Sequence, residues 1–276
     1  MPDFISIEEI DQVFREVEHE VLQLNNAKDI DYYSYHEKRF YRMAKSLAAV
    51  LPRGAKVLDI GSHFLHPAMI LTKMGYKVYA VDVPVFQEMD FVVDRCSRYQ
   101  VEAIFESDMA SFESIKERKD EFDAVLFTEI LEHITFNPVL FWNRVYDAVK
   151  PTCFMYLSTP NSLALPSLIR AFFRLVTLKG IGLKVDEIHI TETYGHHWKE
   201  YSRYEIKKYF QSLSDDFEVT TKYFSFHKGF GSSLRDKLWF GLARLGLYTR
   251  VFAPCLESVV KVNKQHGFKM KPPKYL

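Results

Sequence analysis

The chain of 276 residues contains few cysteines and lacks the paired cysteines of a disulfide framework. Its three cysteines, Cys96, Cys153 and Cys255, include no C-x-x-C pair, and an odd number cannot all pair with one another. The sequence therefore predicts a reducing, cytoplasmic compartment. The first residues, MPDFISIEEI, are acidic and do not form the basic start that an export signal needs.

Long apolar runs and an excess of one charge are also absent. No stretch of about 18 uncharged apolar residues occurs, so no membrane-spanning helix is expected. The 36 lysines and arginines balance 36 acidic residues, which argues against a uniformly basic protein and a nucleic-acid partner. The balance is an average, because residues 1–24 hold seven acidic side chains and one basic, whereas residues 227–276 hold ten basic and two acidic. The sequence therefore still allows a basic face that binds a phosphate-bearing substrate or an anionic membrane.

Short apolar strands alternate with helices over residues 56–160, which is typical of a doubly wound α/β sheet of parallel strands. Two helices are predicted before the first strand, one capped by Ser6 and Glu9 and one over residues 35–50. After Pro160 the alternation breaks. The remaining predicted elements are a helical insertion over 161–185, a helix opened by Ser202 and Glu205, a strand over 217–226, a helical stretch around 232–250, and the strand ESVVKV.

Acidic residues stand at the ends of four successive predicted strands. They are Asp59, Asp82, Asp108 and Glu129. Ligands of an open parallel sheet bind beyond the carboxyl ends of its strands. This arrangement is expected for a ligand that has many hydrogen-bond donors and a positive centre.

Several segments resemble the successive motifs of class I S-adenosylmethionine-dependent methyltransferases: VLDIGS, YKVYAVDV, ESDMASF, FDAVLFTEILEHI and KPTCFMYLSTPN. HHWKEYSRYEIKKYF resembles the segment after the fifth strand of that family, and the resemblance covers roughly residues 50–226. It implies a Rossmann-like sheet of seven strands, the last antiparallel, with the amino-terminal helices and helical insertions forming a lid. It also implies a single methyltransferase domain over 1–276, made of a helical cap (1–50), a cofactor-binding core (51–160), a helical lid insertion (161–200) and a carboxy-terminal part of the sheet with a basic helical insertion (201–276).

The resemblance implies S-adenosyl-L-methionine as cofactor and S-adenosyl-L-homocysteine as product. Asp59 and Gly61 would shape the loop around the methionine part, Asp82 would accept the ribose hydroxyls, and Asp108 would accept from the adenine amino group. The full set of implied cofactor-binding residues is Asp59, Gly61, Ser62, Asp82, Val83, Asp108, Met109, Thr128 and Glu129.

The first motif departs from the family pattern, because His63 and Leu65 replace two glycines of the usual loop. A β-carbon at either position is expected to narrow the approach of the cofactor or to force a different loop path. The same departure removes the G-x-G-x-x-G pattern of dinucleotide-binding proteins.

Three histidines are candidate bases: His133, placed one helical turn after Glu129, and the neighbouring pair His196 and His197. Each has an alternative structural or surface role. A metal site is not expected, since neither His189 with His196 and His197 nor His63 with His66 brings carboxylate or cysteine partners.

The favoured function is O-methylation of a hydroxyl on a small molecule or a cell-envelope sugar. The alternatives are N-methylation of a small-molecule amine and a binding protein that has lost its chemistry. A nucleic-acid methyltransferase is a further rival, although the N/D-P-P-Y/F signature of amino-directed enzymes is absent. The basic, apolar helix near residues 165–180 is expected to pack on the core as part of the lid, and peripheral contact with the inner face of a membrane is the alternative.

Overall fold

The computed structural model describes residues 3–226 and 233–272. Ten α-helices and seven strands are found in these ranges. The helices are α1 (Ile7–Leu24), α2 (Ala27–Ala48), α3 (His66–Lys73), α4 (Pro84–Gln87), α5 (Asp90–Tyr99), α6 (Val139–Ala148), α7 (Leu165–Val176), α8 (Val185–Ile190), α9 (Arg203–Leu213) and α10 (Leu234–Tyr248). The strands are β1 (Lys56–Ile60), β2 (Lys77–Asp82), β3 (Glu102–Phe105), β4 (Phe122–Thr128), β5 (Val149–Pro160), β6 (Phe217–Phe224) and β7 (Cys255–Asn263).

The strands form one seven-stranded sheet in the order β3-β2-β1-β4-β5-β7-β6. β1 pairs in parallel with both β2 and β4, so that Leu58 lies between Tyr79 and Val125. Every residue of β1 after Lys56 is buried, as expected for a central strand covered on both faces. The predicted doubly wound α/β sheet, with seven strands and an antiparallel last strand, is confirmed.

The two amino-terminal helices begin at polar caps. Ser6 and Glu9 form the predicted capping box of α1, whose apolar side is buried. The predicted start of the second helix at Tyr35 is wrong, because α2 begins eight residues earlier at Ala27. The side chain of Asn26 accepts hydrogen bonds from Lys28 N and Asp29 N and so caps that earlier start.

Helices after the core strands also differ from the sequence prediction in their bounds. The helix predicted near residues 87–99 is two helices, α4 and α5. The insertion over 161–185 contains α7 and the first residue of α8. The capping box of Ser202 and Glu205 at α9 is confirmed. No helix in the described ranges is both long and apolar enough to span a bilayer.

Two compact units are distinguished along the chain. The first comprises Met1–Phe127, Leu140–Tyr156 and Val262–Lys264, and the second comprises Thr128–Val139, Leu157–Lys261 and Gln265–Leu276. The division into one domain with four sections stays a prediction. Part of the predicted basic carboxy-terminal region, including Lys228 and Lys274, lies outside the described residues.

Candidate functional site

The loop after β1 keeps a left-handed backbone although two of its expected glycines are absent. The φ angle is +81° at Gly61, +48° at His63 and +65° at Leu65. Gly61 N donates to Val81 O at 2.8 Å, which ties the loop to the end of β2. Since the left-handed region costs an ordinary residue roughly 1–2 kcal/mol, packing and hydrogen bonds around this loop must hold His63 and Leu65 there.

The His63 ring is held in an aromatic cluster. It stacks on Tyr32 of α2 at a centroid distance of 4.2 Å and lies 3.8 Å from Phe64 and 4.4 Å from Phe86. Burial, together with the charges of His66 and Arg39, lowers the pKa of His63 to about 4. The side chain is therefore neutral near pH 7, and α2 contacts the loop after β1.

Two carboxylates lie at the carboxyl ends of β1 and β2. Asp82 accepts hydrogen bonds from His63 N at 2.6 Å and from Val83 N at 2.7 Å. Burial raises the pKa of Asp82 to about 6 despite these two donors. Asp59 is completely buried, and among the described residues neither of its carboxylate oxygens has a hydrogen-bond partner. Burial raises the pKa of Asp59 to about 7, and the charge of Asp82 adds to the rise.

A buried carboxylate without a donor is costly unless a ligand or a counter-charge compensates it. The charge of Arg39 opposes the rise in the pKa of Asp59. Ser62 Oγ is buried in the same loop and likewise finds no partner within the described ranges. Asp59, Ser62 and Asp82 thus offer acceptors that fit a ligand bearing hydroxyl and cationic amino groups, such as S-adenosylmethionine.

The loop after β3 carries the other residues implied for the adenine. β3 ends at Phe105, so Asp108 follows its end by three residues, and its side chain is exposed. Asp108 Oδ1 accepts from Ala110 N at 3.1 Å. Sequence reasoning missed Glu106, which is buried and accepts hydrogen bonds from Asp108 N and Ser114 N at 2.8 and 3.0 Å. Glu106 therefore fixes the backbone that presents Asp108 and Met109.

A buried charge network, also missed from the sequence, fastens α2 to this region. Arg95 of α5 donates to both carboxylate oxygens of Asp29 at 2.8 and 2.6 Å and to Phe64 O at 2.7 Å. His66 Nε2 lies 3.0 Å from Asp29 Oδ1. Burial alone would raise the pKa of Asp29, but these partners lower it to about 2. The network joins three segments that the sequence separates.

In the second unit, the residues after β4 do not form the helical turn predicted between Glu129 and His133. Glu129 has a φ angle of +57°, and a short 3-10 helix covers Leu131–His133. Glu129 N donates to Ser158 O at 2.8 Å. Thr128 is buried at the strand end. The left-handed turn at Glu129 redirects the chain, so the spacing of Glu129 and His133 is not that of one α-helical face.

Glu132 is the buried acid of this segment, and sequence reasoning assigned it no role. Its side chain is fully buried, and Oε2 accepts from Thr159 Oγ1 at 2.9 Å. No described residue provides a hydrogen-bond partner for Oε1. Burial raises the pKa of Glu132 above the usual carboxyl range, and the charge of Glu129 adds to the effect. The motif EILEHI contained the signal, since an acid directly before a histidine at a strand end is a candidate partner for it.

The three candidate histidines are brought together with Glu132. His133 Nδ1 lies 3.0 Å from His196 O, and its Nε2 lies 3.9 Å from Glu132 Oε1. The rings of His133 and His197 have centroids 4.9 Å apart. The His196 side chain is buried and contacts Trp198, whose N donates to Glu132 O at 2.8 Å. The 196–198 segment is thereby held against the 3-10 helix.

The electrostatic environments of His133 and His197 differ. Burial lowers the pKa of His133 to about 4, and the charge of His197 adds to the effect. By contrast, a contact with Glu200, whose Oε1 lies 3.4 Å from His197 Nδ1, raises the pKa of His197. His133 is therefore neutral near pH 7, whereas His197 is the more readily protonated of the two.

Within the described residues, one side-chain group has donor atoms close enough for a metal ion. The atoms belong to Glu132, His133 and His197 and lie within 4.8 Å of one another. It is neither of the histidine groups considered from the sequence. The expectation of no metal stays a prediction.

A charged cavity of about 700 Å³ lies in the first unit beside Lys56, at the opposite end of β1 from Asp59. Its lining charges are largely engaged in ion pairs, such as Lys56 with Glu121 at 2.9 Å and Lys150 with Asp123 at 2.7 Å. Because ligands of such sheets bind at the carboxyl ends of the strands, this cavity is not the candidate site.

The strand order and the acidic residues at the carboxyl ends of the strands define a class I methyltransferase fold. Residues 35–220 match a family described as a methyltransferase domain. The chain belongs to this family and is an S-adenosylmethionine-dependent methyltransferase. No sequence among the curated proteins matches it.

Solved structures show the same fold. A SAM-dependent methyltransferase from Archaeoglobus fulgidus is similar with 15% identity and a TM-score of 0.50, over 83% of this chain and 99% of that one. A putative methyltransferase of Haloferax volcanii, in complex with the Trm112 methyltransferase activator, gives 14% identity and a TM-score of 0.56 over 83% and 92%. Phosphoethanolamine N-methyltransferase 2 of Haemonchus contortus, in complex with S-adenosyl-L-methionine, is similar with 15% identity and a TM-score of 0.50. The similarity covers 83% of this chain and 53% of that one.

Proposed function

We propose that the protein transfers a methyl group to a hydroxyl of a small molecule or a sugar, and that His133 takes the hydroxyl proton. The arrangement of His133 between His196 O and Glu132 carries this proposal. S-adenosylmethionine, when bound, supplies a methyl group on an activated sulfonium. The residues of this chain then hold the cofactor, orient the acceptor and accept its proton.

The residues proposed to hold the cofactor are those of the first unit. Asp82 has two carboxylate oxygens that suit a pair of ribose hydroxyls, and it is slightly exposed at the end of β2. Asp59 and Ser62 have buried acceptor atoms without partners in the described chain. A cationic ligand near Asp59 would lower its pKa and relieve the cost of keeping two carboxylates close together.

The contact of His133 with His196 O supports its role as a base. A carbonyl oxygen only accepts hydrogen bonds, so the hydrogen of the neutral ring must lie on Nδ1. Nε2 then carries the lone pair. Its distance of 3.9 Å from Glu132 Oε1 is too long for a hydrogen bond, which leaves Nε2 available to a proton from the acceptor. Burial keeps this nitrogen unprotonated near pH 7.

Glu132 is proposed as a positioning residue. Its backbone oxygen accepts from Trp198 N and its side chain from Thr159 Oγ1, so it fixes both the 3-10 helix and the 196–198 segment. Its carboxyl group, whose pKa burial raises, also lies 3.9 Å from His133 Nε2. His197 is the less favoured candidate for the base. Its interaction with Glu200 raises its pKa, so a larger fraction of it already carries a proton.

The replacement His133→Gln tests the proposal. Methyl transfer from labelled S-adenosylmethionine is measured on hydroxyl and amine acceptor panels, and cofactor affinity is measured by calorimetry. We expect kcat on the hydroxyl acceptor to fall by about a hundredfold or more, with unchanged cofactor affinity, because only proton removal is lost.

His189→Gln is the matched control, since His189 is an exposed histidine of α8. It should leave kcat unchanged. Transfer to an amine that His133→Gln does not slow would contradict O-methylation and favour the N-methyltransferase alternative. Wild-type protein that binds the cofactor and methylates neither panel would favour a binding protein without catalytic activity.

A further inference from the structure

The second unit exposes an unusually large set of apolar side chains between residues 172 and 190. Nine of them are between 47% and 90% exposed: Phe172, Phe173, Leu175, Val176, Leu178, Ile181, Val185, Ile188 and Ile190. In α7 itself, Pro166 is the buried residue. The helix was expected to pack on the core, but its apolar side chains from Phe172 to Val176 are exposed instead. Monomeric proteins seldom expose contiguous apolar surface of this extent without a binding partner.

A second helix of the same unit adds to this surface. α10 packs against α7 and exposes Leu234, Leu238, Leu245 and Tyr248. We call residues 161–190 and 233–252 together the apolar insertion.

The base of the apolar insertion is fixed by specific contacts. Asn161 Nδ2 donates to Val251 O and Ala253 O at 3.0 and 2.8 Å, and Leu165 N donates to Phe252 O at 3.1 Å. A β-carbon at Gly246 would lie 2.1 Å from Phe252 O, so only glycine permits this close approach. The exposed apolar side chains of α7 and α10 therefore belong to an anchored helix pair.

The charge of the apolar insertion identifies its partner. Residues 161–190 and 233–252 contain eight basic side chains and three acidic ones, a net charge of +5. The basic residues are Arg170, Arg174, Lys179, Lys184, Arg235, Lys237, Arg244 and Arg250. A second copy that docked through the same surface would bring the same positive charge and be repelled. An anionic lipid surface offers both hydrocarbon for the apolar groups and phosphate for the basic ones.

We propose that the apolar insertion docks the protein onto an anionic membrane surface. Phe172, Phe173 and their apolar neighbours enter the boundary between headgroups and acyl chains, while Arg170 and Lys179 contact lipid phosphates. Such a protein lies on the bilayer without crossing it, as a basic amphipathic helix with bulky apolar residues does. Docking of this kind favours acceptors that are themselves held in a membrane.

The test is co-sedimentation of the full-length protein with vesicles of phosphatidylcholine alone and of phosphatidylcholine with phosphatidylglycerol at three to one. We expect binding to the anionic vesicles that weakens as salt rises. Phe172→Ser with Phe173→Ser should reduce it at least about tenfold, and Arg170→Gln with Lys179→Gln should reduce it by about tenfold or more.

The matched control is Phe105→Ser, because Phe105 is 64% exposed and Phe172 and Phe173 are each 62% exposed, while Phe105 lies in the first unit. It should leave vesicle binding unchanged. Absence of binding to anionic vesicles, or equal loss in the control, would overturn the proposal. So would a concentration-dependent dimer, seen by sedimentation velocity, that the double Phe→Ser variant abolishes, since a second copy would then be the partner. Vesicle binding is measured without acceptor or cofactor, so its failure leaves the proposed methyl transfer unaffected.

Discussion

Replacing Asp59 with asparagine should stabilise the protein at alkaline pH. Asp59 is fully buried at the end of β1, and burial raises the pKa of its carboxyl from 3.8 to about 7. Asparagine has nearly the shape of a protonated aspartic acid, and it carries no charge at any pH. The substitution therefore removes the cost of holding a buried carboxylate in the folded state.

The magnitude follows from the pKa difference between the folded and unfolded states. A carboxyl whose pKa is raised on folding contributes stability that is complete below pH 3.8 and is lost as the pH rises to about 7. The shift corresponds to about 4 kcal/mol above pH 7, of which about 2 kcal/mol is already lost at pH 5. Within the described ranges, the asparagine amide has no hydrogen-bond partner at this buried position. This costs about 1–3 kcal/mol at every pH and offsets part of the gain from removing the charge.

Urea unfolding at pH 5 and at pH 8 measures the effect. At each pH, the free energy of unfolding of the wild type is subtracted from that of Asp59→Asn. This difference should be about 2–3 kcal/mol larger at pH 8 than at pH 5. Asp94→Asn, at an exposed position of α5, should show no such pH dependence. If the difference were the same at both pH values, ionisation of the buried Asp59 would not destabilise the folded protein, and the reasoning would be refuted.

Two further predictions concern stability elsewhere in the chain. Asp29→Asn should destabilise the protein by about 3–5 kcal/mol at pH 7, since it leaves the buried Arg95 without its ion pair. The exposed Asp31→Asn should have little effect. Equal chemical denaturation midpoints for the two variants would contradict this prediction. Gly246→Ala should lower the free energy of unfolding by about 1–3 kcal/mol because its β-carbon would meet Phe252 O at 2.1 Å. A β-carbon at Gly241 of the same helix would meet open space, so Gly241→Ala should raise stability by up to about 1 kcal/mol. If thermal unfolding showed Gly246→Ala to be the more stable of the two variants, the close contact with Phe252 O would be refuted.

The core of the fold could be predicted because its signals are local and strong. Lys56–Ile60 and Phe122–Thr128 are short apolar runs, and the capping boxes at Ser6 and Ser202 lie within four residues of sequence. The start of α2 was missed although its cap, Asn26, was visible. Only one residue, Asn25 at the end of α1, separates that cap from the preceding helix, and a sequence pattern does not place a turn that short.

The candidate site was predictable only where the family pattern marks it. Asp59 and Asp82 stand at strand ends that the apolar pattern located, and His133 follows the end of β4 by five residues. Glu132 remained without a role, because its burial and its contact with Thr159 depend on a strand 27 residues further along the chain. The ion pair of Asp29 and Arg95 joins residues 66 positions apart, and no local pattern encodes such a pairing.

His63 shows how a loop can lose a glycine and keep its conformation. In a glycine-rich loop the residue type supplies a positive φ angle and leaves space beside the backbone. Here the φ angle of +48° is retained while His63 N donates to Asp82, and the ring fills that space by stacking on Tyr32. The conformational cost, roughly 1–2 kcal/mol, is thus met by contacts with α2 that a glycine could not make. The loop that is proposed to hold the cofactor is therefore mechanically tied to the amino-terminal helix, so a change at Tyr32 should alter cofactor affinity without touching any residue of the motif.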